Sequence, residues 1–233
     1  MNAPLVRTFW LSRLGTAPAA CEDAFAVRPG WPFAAAVADG ATESAFAGAW
    51  ARHLVRHFCR ELPATPAALR DRLVRWRAVW QPNRQPAALP WYVAAKLEEG
   101  AHAALLGLVI RSDGSWQAVA VGDAVLLHLR GKRLLQAWPL DDPAQFHHRP
   151  ALISSRVEAE LPDVGGQTGC WAPGDAFVLA TDALGAWLLA TDPTLPLRLT
   201  TEALASQITA ARRRRTLRND DVAAVVVRCP GVQ

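Results

Sequence analysis

An acid standing at the border of an apolar, strand-like run recurs along this chain, and no other feature restricts its fold as much. Phe33–Ala38 is almost wholly apolar and is closed by Asp39-Gly40, which reads as a buried strand stopping at a turn. The pattern returns at Asp123 in AVGDA, at Asp182 in LATDA and at Asp220 in NDDVAAVVV, and Glu22-Asp23 opens the apolar segment Ala24–Val27. Taken singly, each acid has an ordinary explanation. Asp39-Gly40 and Asp123 suit turns, Asp182 suits a helix N-cap, and Asp220 or Asp221 suits a solvated loop before an edge strand. If the strand ends gather in space, however, the like charges repel strongly and need a counter-ion. Hard divalent cations with oxygen ligands, Mg²⁺ or Mn²⁺, meet that need, and the absence of His and Cys from the set argues against zinc. Two such ions sharing a carboxylate can activate a water and present it in line to a phosphoryl group.

The elements between the acids predict α+β architecture with antiparallel sheets, because helices and runs of strands are grouped rather than alternating. Leu5–Leu11 reads as a strand, followed by a loop over Ser12–Ala20. The short turn at Pro29-Gly30 predicts an antiparallel pair that brings Glu22-Asp23 and Asp39-Gly40 to one end of a sheet. A helix from about Ala45 to Glu61 is expected, with Phe46, Trp50, Leu54 and Phe58 as its buried stripe. A second begins at Thr65-Pro66 and carries Leu69, Leu73, Trp76 and Trp80 inward. Ala101–Ile110, Trp116–Val121, Ala124–Leu129 and Arg133–Trp138 read as one β-meander, whereas Asp141–Asp163 has no readable pattern. A strand at Asp175–Ala180, a helix at Ala183–Ala190, a helix capped by Thr200 or Thr201, and a strand at Val222–Val227 complete the chain. Gln81–Pro90 is Pro-rich and reads as a long loop.

Composition excludes several classes. A length of 233 residues fits a single domain spanning residues 1–233. No charge-free apolar run reaches the roughly 20 residues of a membrane span, and the first residues lack a signal-peptide pattern. Cys21, Cys59, Cys170 and Cys229 lie far apart without CxxC pairing, as expected of reduced thiols in the cytoplasm. The net charge of +4 owes much to Arg212–Arg215 and Arg218. So local a cluster reads as a basic helix end complementing the helix dipole, and no nucleic-acid or membrane partner is expected. His53 and His57 are four apart but lack a third ligand, which makes them histidines at the border of the apolar stripe. Trp10, Trp31 and Trp91 fall near loops, where they could line a groove.

The order Glu22-Asp23, Asp39-Gly40, Gly122-Asp123, Thr181-Asp182 and Asn219-Asp220-Asp221 resembles the metal-dependent type 2C protein phosphatases, the PPM family, in a divergent bacterial form. The resemblance runs from about Phe9 to Arg228. It implies a four-layer α-β-β-α sandwich with two central antiparallel sheets. It implies that Asp39 bridges two Mg²⁺ or Mn²⁺ ions, that Gly40 gives one of them its carbonyl, and that Asp182 and Asp220 bind the other. Glu22 would hold the second ion through water with Asp23 supporting, and Asp123 matches an acid of an additional, weaker metal site. The implied reaction is hydrolysis of phosphoserine or phosphothreonine on proteins by a metal-activated water, with a cognate kinase as a further partner.

The departures are at the periphery of this set. Pro18 stands where many members carry a phosphate-binding arginine, and Arg13 in the same loop is the nearest substitute. Ala41, Ala124 and Ala183 follow Asp39-Gly40, Asp123 and Asp182 where the family has His, Ser and Gly, and His102 falls in a strand that usually bears threonine. His102 reads as a packed strand histidine, with proton donation as the alternative. The metal carboxylates are all retained. The competing expectation is a regulatory or binding module on the same scaffold with little turnover, and nucleic-acid binding through Arg212–Arg215 is a third.

Overall fold

The computed structural model describes residues 2–42, 44–80, 99–146 and 150–231. Among the described residues the strands are β1 (Leu5–Leu11), β2 (Ala24–Arg28), β3 (Phe33–Gly40), β4 (His102–Ile110), β5 (Ser115–Val121), β6 (Val125–Arg130), β7 (Arg133–Trp138), β8 (Ile153–Ser154), β9 (Gly165–Cys170), β10 (Asp175–Ala180) and β11 (Val222–Arg228). The α-helices described there are α1 (Ala47–Glu61), α2 (Pro66–Val79), α3 (Asp182–Ala190), the short α4 (Leu195–Arg198) and α5 (Thr201–Arg213). One sheet has the order β1-β11-β10-β6-β7 and the other β2-β3-β4-β5-β9, with β8 paired to β4. The Gln81–Pro90 loop, Glu43 and Trp91 lie outside the described residues. No helix among the described residues is long and apolar enough to cross a membrane.

The side-chain alternation of β3 shows how the layers form. Phe33, Ala35 and Val37 point into the inter-sheet core with Leu106, Leu108, Phe177, Leu179 and Val225. Ala34, Ala36 and Ala38 point the other way, onto Trp50, Leu54 and Phe58 of α1 and Leu69, Leu73 and Trp76 of α2. The opposite sheet buries Val178, Ala180, Val222 and Ala224 against Leu184 and Leu188 of α3 and Leu204 and Ile208 of α5. These interfaces make the expected four-layer sandwich. Each large side chain buried this way contributes about 1.5–3 kcal/mol. Thr65 caps α2 as its sequence predicts, its Oγ1 accepting from the Ala68 amide at 3.3 Å.

Several expectations are corrected. The four segments read as one meander divide between the sheets, since β4 pairs with β5 and β6 pairs with β7 while β5 and β6 belong to different sheets. Gly122 makes that crossover, with φ +94°; a Cβ there would stand 2.6 Å from the Ala104 Cβ. Asp123 is therefore not in a hairpin turn. The helix expected from Ala45 begins at Ala47, because Phe46 takes a left-handed conformation, φ 62°, and is partly exposed rather than in the buried stripe. β11 is no edge strand but lies between β1 and β10. The region that gave no pattern holds β8 and a one-turn 3-10 helix at Pro143–Gln145. β9 was not legible either, being glycine-rich and largely exposed.

Other side chains also find structural roles. His53 and His57 stack beside Trp50, Trp76 and Trp80, and His57 Nδ1 lies 3.2 Å from Glu61, so they form part of a packed aromatic cluster. Trp31 stacks on Trp171 at 6.0 Å, at the sheet end remote from the acids, while Trp10 is half exposed on β1. Arg212 and Arg213 stand in the last turn of α5, and Arg212 is buried there, its guanidinium donating to the carbonyls of Ser12, Leu11 and Asp220.

Candidate metal centre

Strand register brings the acids together. β2 starts opposite the end of β3, with Ala24 facing Ala38. β10 ends where β11 and β6 begin, with Ala180 facing Ala224 and Val125. The segments 22–23, 39–40, 122–123, 181–182 and 219–221 thus all emerge at the same open edge of the sandwich. Asp39 follows Val37 on the inter-sheet face of β3, so its carboxylate points between the sheets rather than at the helices. Asp182 is the first residue of α3, and Thr181 holds the N-cap position. Thr181 Oγ1 accepts from the Ala223 amide at 2.9 Å and thereby ties the end of β10 to β11.

Among the described residues, carboxylate oxygens of Asp39, Asp123 and Asp182 lie within 4.8 Å of one another. Asp23 is buried beside them, and its Oδ2 has no hydrogen-bond partner among the described residues. Burial pushes the Asp23 carboxyl well above the usual range, only partly offset by Thr181, with the charges of Asp182 and Asp221 adding to the rise. Burial and then the charges of Asp23, Asp182, Asp123 and Asp220 do the same to Asp39. Burial and the Asp182 charge push Asp123 up to about 7. Glu22 stands at the rim, raised mainly by burial, with its buried Oε2 lacking a hydrogen-bond partner and lying 4.0 Å from Arg13 Nη1. Arg13 also donates to Thr42 Oγ1 at 3.2 Å.

Gly40 fits only a glycine. A Cβ there would lie 2.7 Å from the Ala47 carbonyl carbon and 2.9 Å from the Glu22 oxygen, so β3, the start of α1 and the Glu22 backbone meet at van der Waals limits. His102 opens β4, half buried, with its amide donating to Ser44 Oγ at 3.1 Å.

Three residues that organise this edge were not singled out by the sequence reading. Asp221, read as a partner of Asp220 in a solvated loop, is buried and accepts from the amides of Arg13 and Glu22, both at 2.8 Å. Asn219 Oδ1 accepts from the Leu14 amide at 2.7 Å. Together they staple the loop after β1, which carries Arg13, Glu22 and Asp23, to the start of β11. Arg218 donates to Asp182 and, at 3.0 Å, lies against Asp220 Oδ2. Asp220 stands apart from the three-carboxylate group, with its Oδ1 accepting from the Asp221 amide at 2.9 Å. Three polar residues immediately before a wholly apolar strand were the available signal for Asn219 and Asp221.

The tight set of carboxylate oxygens of Asp39, Asp123 and Asp182, with the buried oxygens of Glu22 and Asp23 that lack a hydrogen-bond partner among the described residues beside it, fits divalent ions such as Mg²⁺ or Mn²⁺ better than softer metals. An antiparallel α-β-β-α sandwich with an acid-lined edge is the architecture of metal-dependent phosphatases of the 2C type. The protein phosphatase 2C family model matches residues 16–227, and the chain belongs to that family.

Solved structures agree in fold. The photosystem II phosphatase PBCP superposes with a TM-score of 0.68 at 15% identity, covering 98% of this chain and 100% of that one. PppA, a regulatory component of T6SS in Pseudomonas aeruginosa, gives 0.64 at 23% identity over 97% and 99% of the two chains. The catalytic domain of the serine/threonine phosphatase PstP, in complex with two manganese ions, gives 0.63 at 19% over 97% and 99%. No curated protein matches the chain by sequence.

Proposed function

We propose that the protein is a Mg²⁺- or Mn²⁺-dependent phosphatase acting on phosphoserine and phosphothreonine in a phosphoprotein substrate. The observation that carries this reading is the convergence of Asp39, Asp123 and Asp182, from three separate chain segments, at the edge where Asp23, Glu22 and Asp220 also lie. In this reading Asp39, the Gly40 carbonyl, Asp182 and Asp220 would hold the divalent ions, with Glu22 and Asp23 supporting a second ion and Asp123 an additional, weaker position. Ions held there lower the pKa of a bound water and offset charge on phosphoryl oxygens.

The chain's own residues do the rest. Arg13, held at the rim by Thr42 and Glu22, presents the planar fork that suits a phosphate and replaces the arginine missing at Pro18. Asp221 and Asn219 hold the loop that carries Arg13 and Glu22 in register with the other acids. Among the described residues no Cys or Ser stands in a nucleophile arrangement, which supports a reaction without a phosphoenzyme step. A cytoplasmic setting, read from the unpaired cysteines, and a cognate kinase belong to the same proposal.

The experiment is hydrolysis of an aryl phosphate and of phosphopeptides by pure protein with Mn²⁺. Turnover should stop with chelator and fall at least about 100-fold in Asp39→Asn and Asp182→Asn, the scale of losing a group that stabilises the transition state. Variants that keep full rate refute the site. A protein that binds Mn²⁺ without turnover selects the second reading, a regulatory module; Pro18 in place of the phosphate-binding arginine and Ala41, Ala124 and Ala183 beside the acids favour that reading.

A further inference from the structure

We propose that Arg218 is the chain's own counter-ion for Asp182 and Asp220, competing with divalent ions for these carboxylates and so setting the ion concentration at which the centre fills. The inference rests on the metal-centre reading above and concerns a residue outside the ligand set. The Arg218 guanidinium touches both acids at once, reaching from the segment between α5 and β11 to the first residue of α3. Asp220 thereby has both oxygens committed, one to Arg218 and one to the Asp221 amide, and it stands outside the group formed by Asp39, Asp123 and Asp182. An ion that takes up Asp220 or Asp182 meets the guanidinium charge at the same carboxylates, so the two cations compete there.

The surroundings allow that exchange. The Arg218 side chain is 42% exposed, so its release forfeits little burial. It forms part of the wall of a cleft of about 290 Å³, lined also by Phe146, Ala186 and Trp187, that offers the freed side chain room. The backbone need not move, because Asn219 and Asp221 pin it to the loop after β1 and Arg212 holds the Asp220 carbonyl. The charge balance points the same way. One guanidinium offsets one of the two charges that Asp182 and Asp220 can carry together, so an ion of higher charge is the stronger partner for the pair.

The test is Mn²⁺ binding by the full chain, followed by the EPR signal of free Mn²⁺, in wild type, Arg218→Gln, Arg218→Lys and Asp39→Asn. Arg218→Gln should bind Mn²⁺ about tenfold more tightly than wild type, a modest gain because the displaced pair is partly solvated. Arg218→Lys should fall between them, since an ammonium keeps the charge but loses the fork that spans two acids. After chelation, Arg218→Gln should melt below wild type, and Mn²⁺ should raise its melting temperature by the larger amount. An affinity in Arg218→Gln equal to or weaker than wild type overturns the counter-ion role. If wild type binds Mn²⁺, Asp39→Asn does not, and Arg218→Gln matches wild type, the centre stands and this proposal alone falls. If none of the four proteins binds Mn²⁺, both readings fall.

Discussion

Truncating Asp221 to alanine tests how the edge is assembled. The side chain is buried and accepts from two backbone amides, Arg13 and Glu22, each at 2.8 Å. A hydrogen bond to a charged acceptor is worth about 1.5–3 kcal/mol, and truncation leaves both donors without it. Relief of repulsion offsets part of that, because Asp221 adds negative charge beside Glu22, Asp23 and Asp220. The net expectation for Asp221→Ala is a loss of about 2–4 kcal/mol. Asp221→Asn, which keeps one acceptor oxygen, should lose about 1–2 kcal/mol. Urea denaturation reads this as a shift in midpoint at constant m-value. Mn²⁺ affinity should fall in both variants, since the loop carrying Glu22 and Asp23 loses its anchor. An Asp221→Ala protein within about 0.5 kcal/mol of wild type, the range of ordinary surface changes, refutes the staple.

Three further outcomes follow from the same geometry. Gly40→Ala should cost about 1–3 kcal/mol and weaken Mn²⁺ binding, because the added Cβ meets backbone of Ala47 and Glu22 rather than flexible side chains; calorimetry with and without Mn²⁺ measures both. At the opposite sheet end, burial would raise the Asp175 carboxyl, but Arg130, the Ala172 amide and His128 outweigh it and hold it below the usual range. That stability is present above the unfolded-chain pKa and is lost as pH falls through the folded one, so Asp175→Asn should destabilise by about 2–3 kcal/mol at neutral pH and flatten the acid limb of the stability profile. The metal-free site behaves oppositely. Asp23, Asp39 and Asp123 are raised, the last to about 7, so the folded chain binds more protons than the unfolded one from about pH 4 upward. Melting temperature in chelator should therefore decline as pH rises toward neutrality, and less steeply in Asp123→Asn; parallel curves for the two proteins would count against the raised carboxyl.

The layers were legible where burial writes a period into the sequence. β3 displays its strand through an unbroken apolar run, and α1 displays its stripe through Trp50, Leu54 and Phe58. The convergence of acids was legible for the same reason, since each interrupts a run whose burial gives a carboxylate no local purpose. What stayed hidden depends on long-range partners. The step of β5 and β6 into different sheets is carried by the backbone of Gly122, and a Gly-Asp pair looks the same in a hairpin. Arg218 and Arg212 resemble any cluster of basic residues, yet one holds Asp182, 36 residues away, and the other holds backbone carbonyls near β1. β9 pairs by backbone alone with small or polar side chains, so it carries no hydrophobic signal.

Diffraction from crystals of the protein grown with Mn²⁺, recorded at the manganese absorption edge, tests the central claim most directly. The account predicts anomalous density between Asp39 and Asp182 and their neighbouring acids, with Asp220 turned to the ion and Arg218 withdrawn from both carboxylates. Saturating Mn²⁺ that leaves this edge without anomalous density, with Arg218 still holding Asp182 and Asp220, would contradict it.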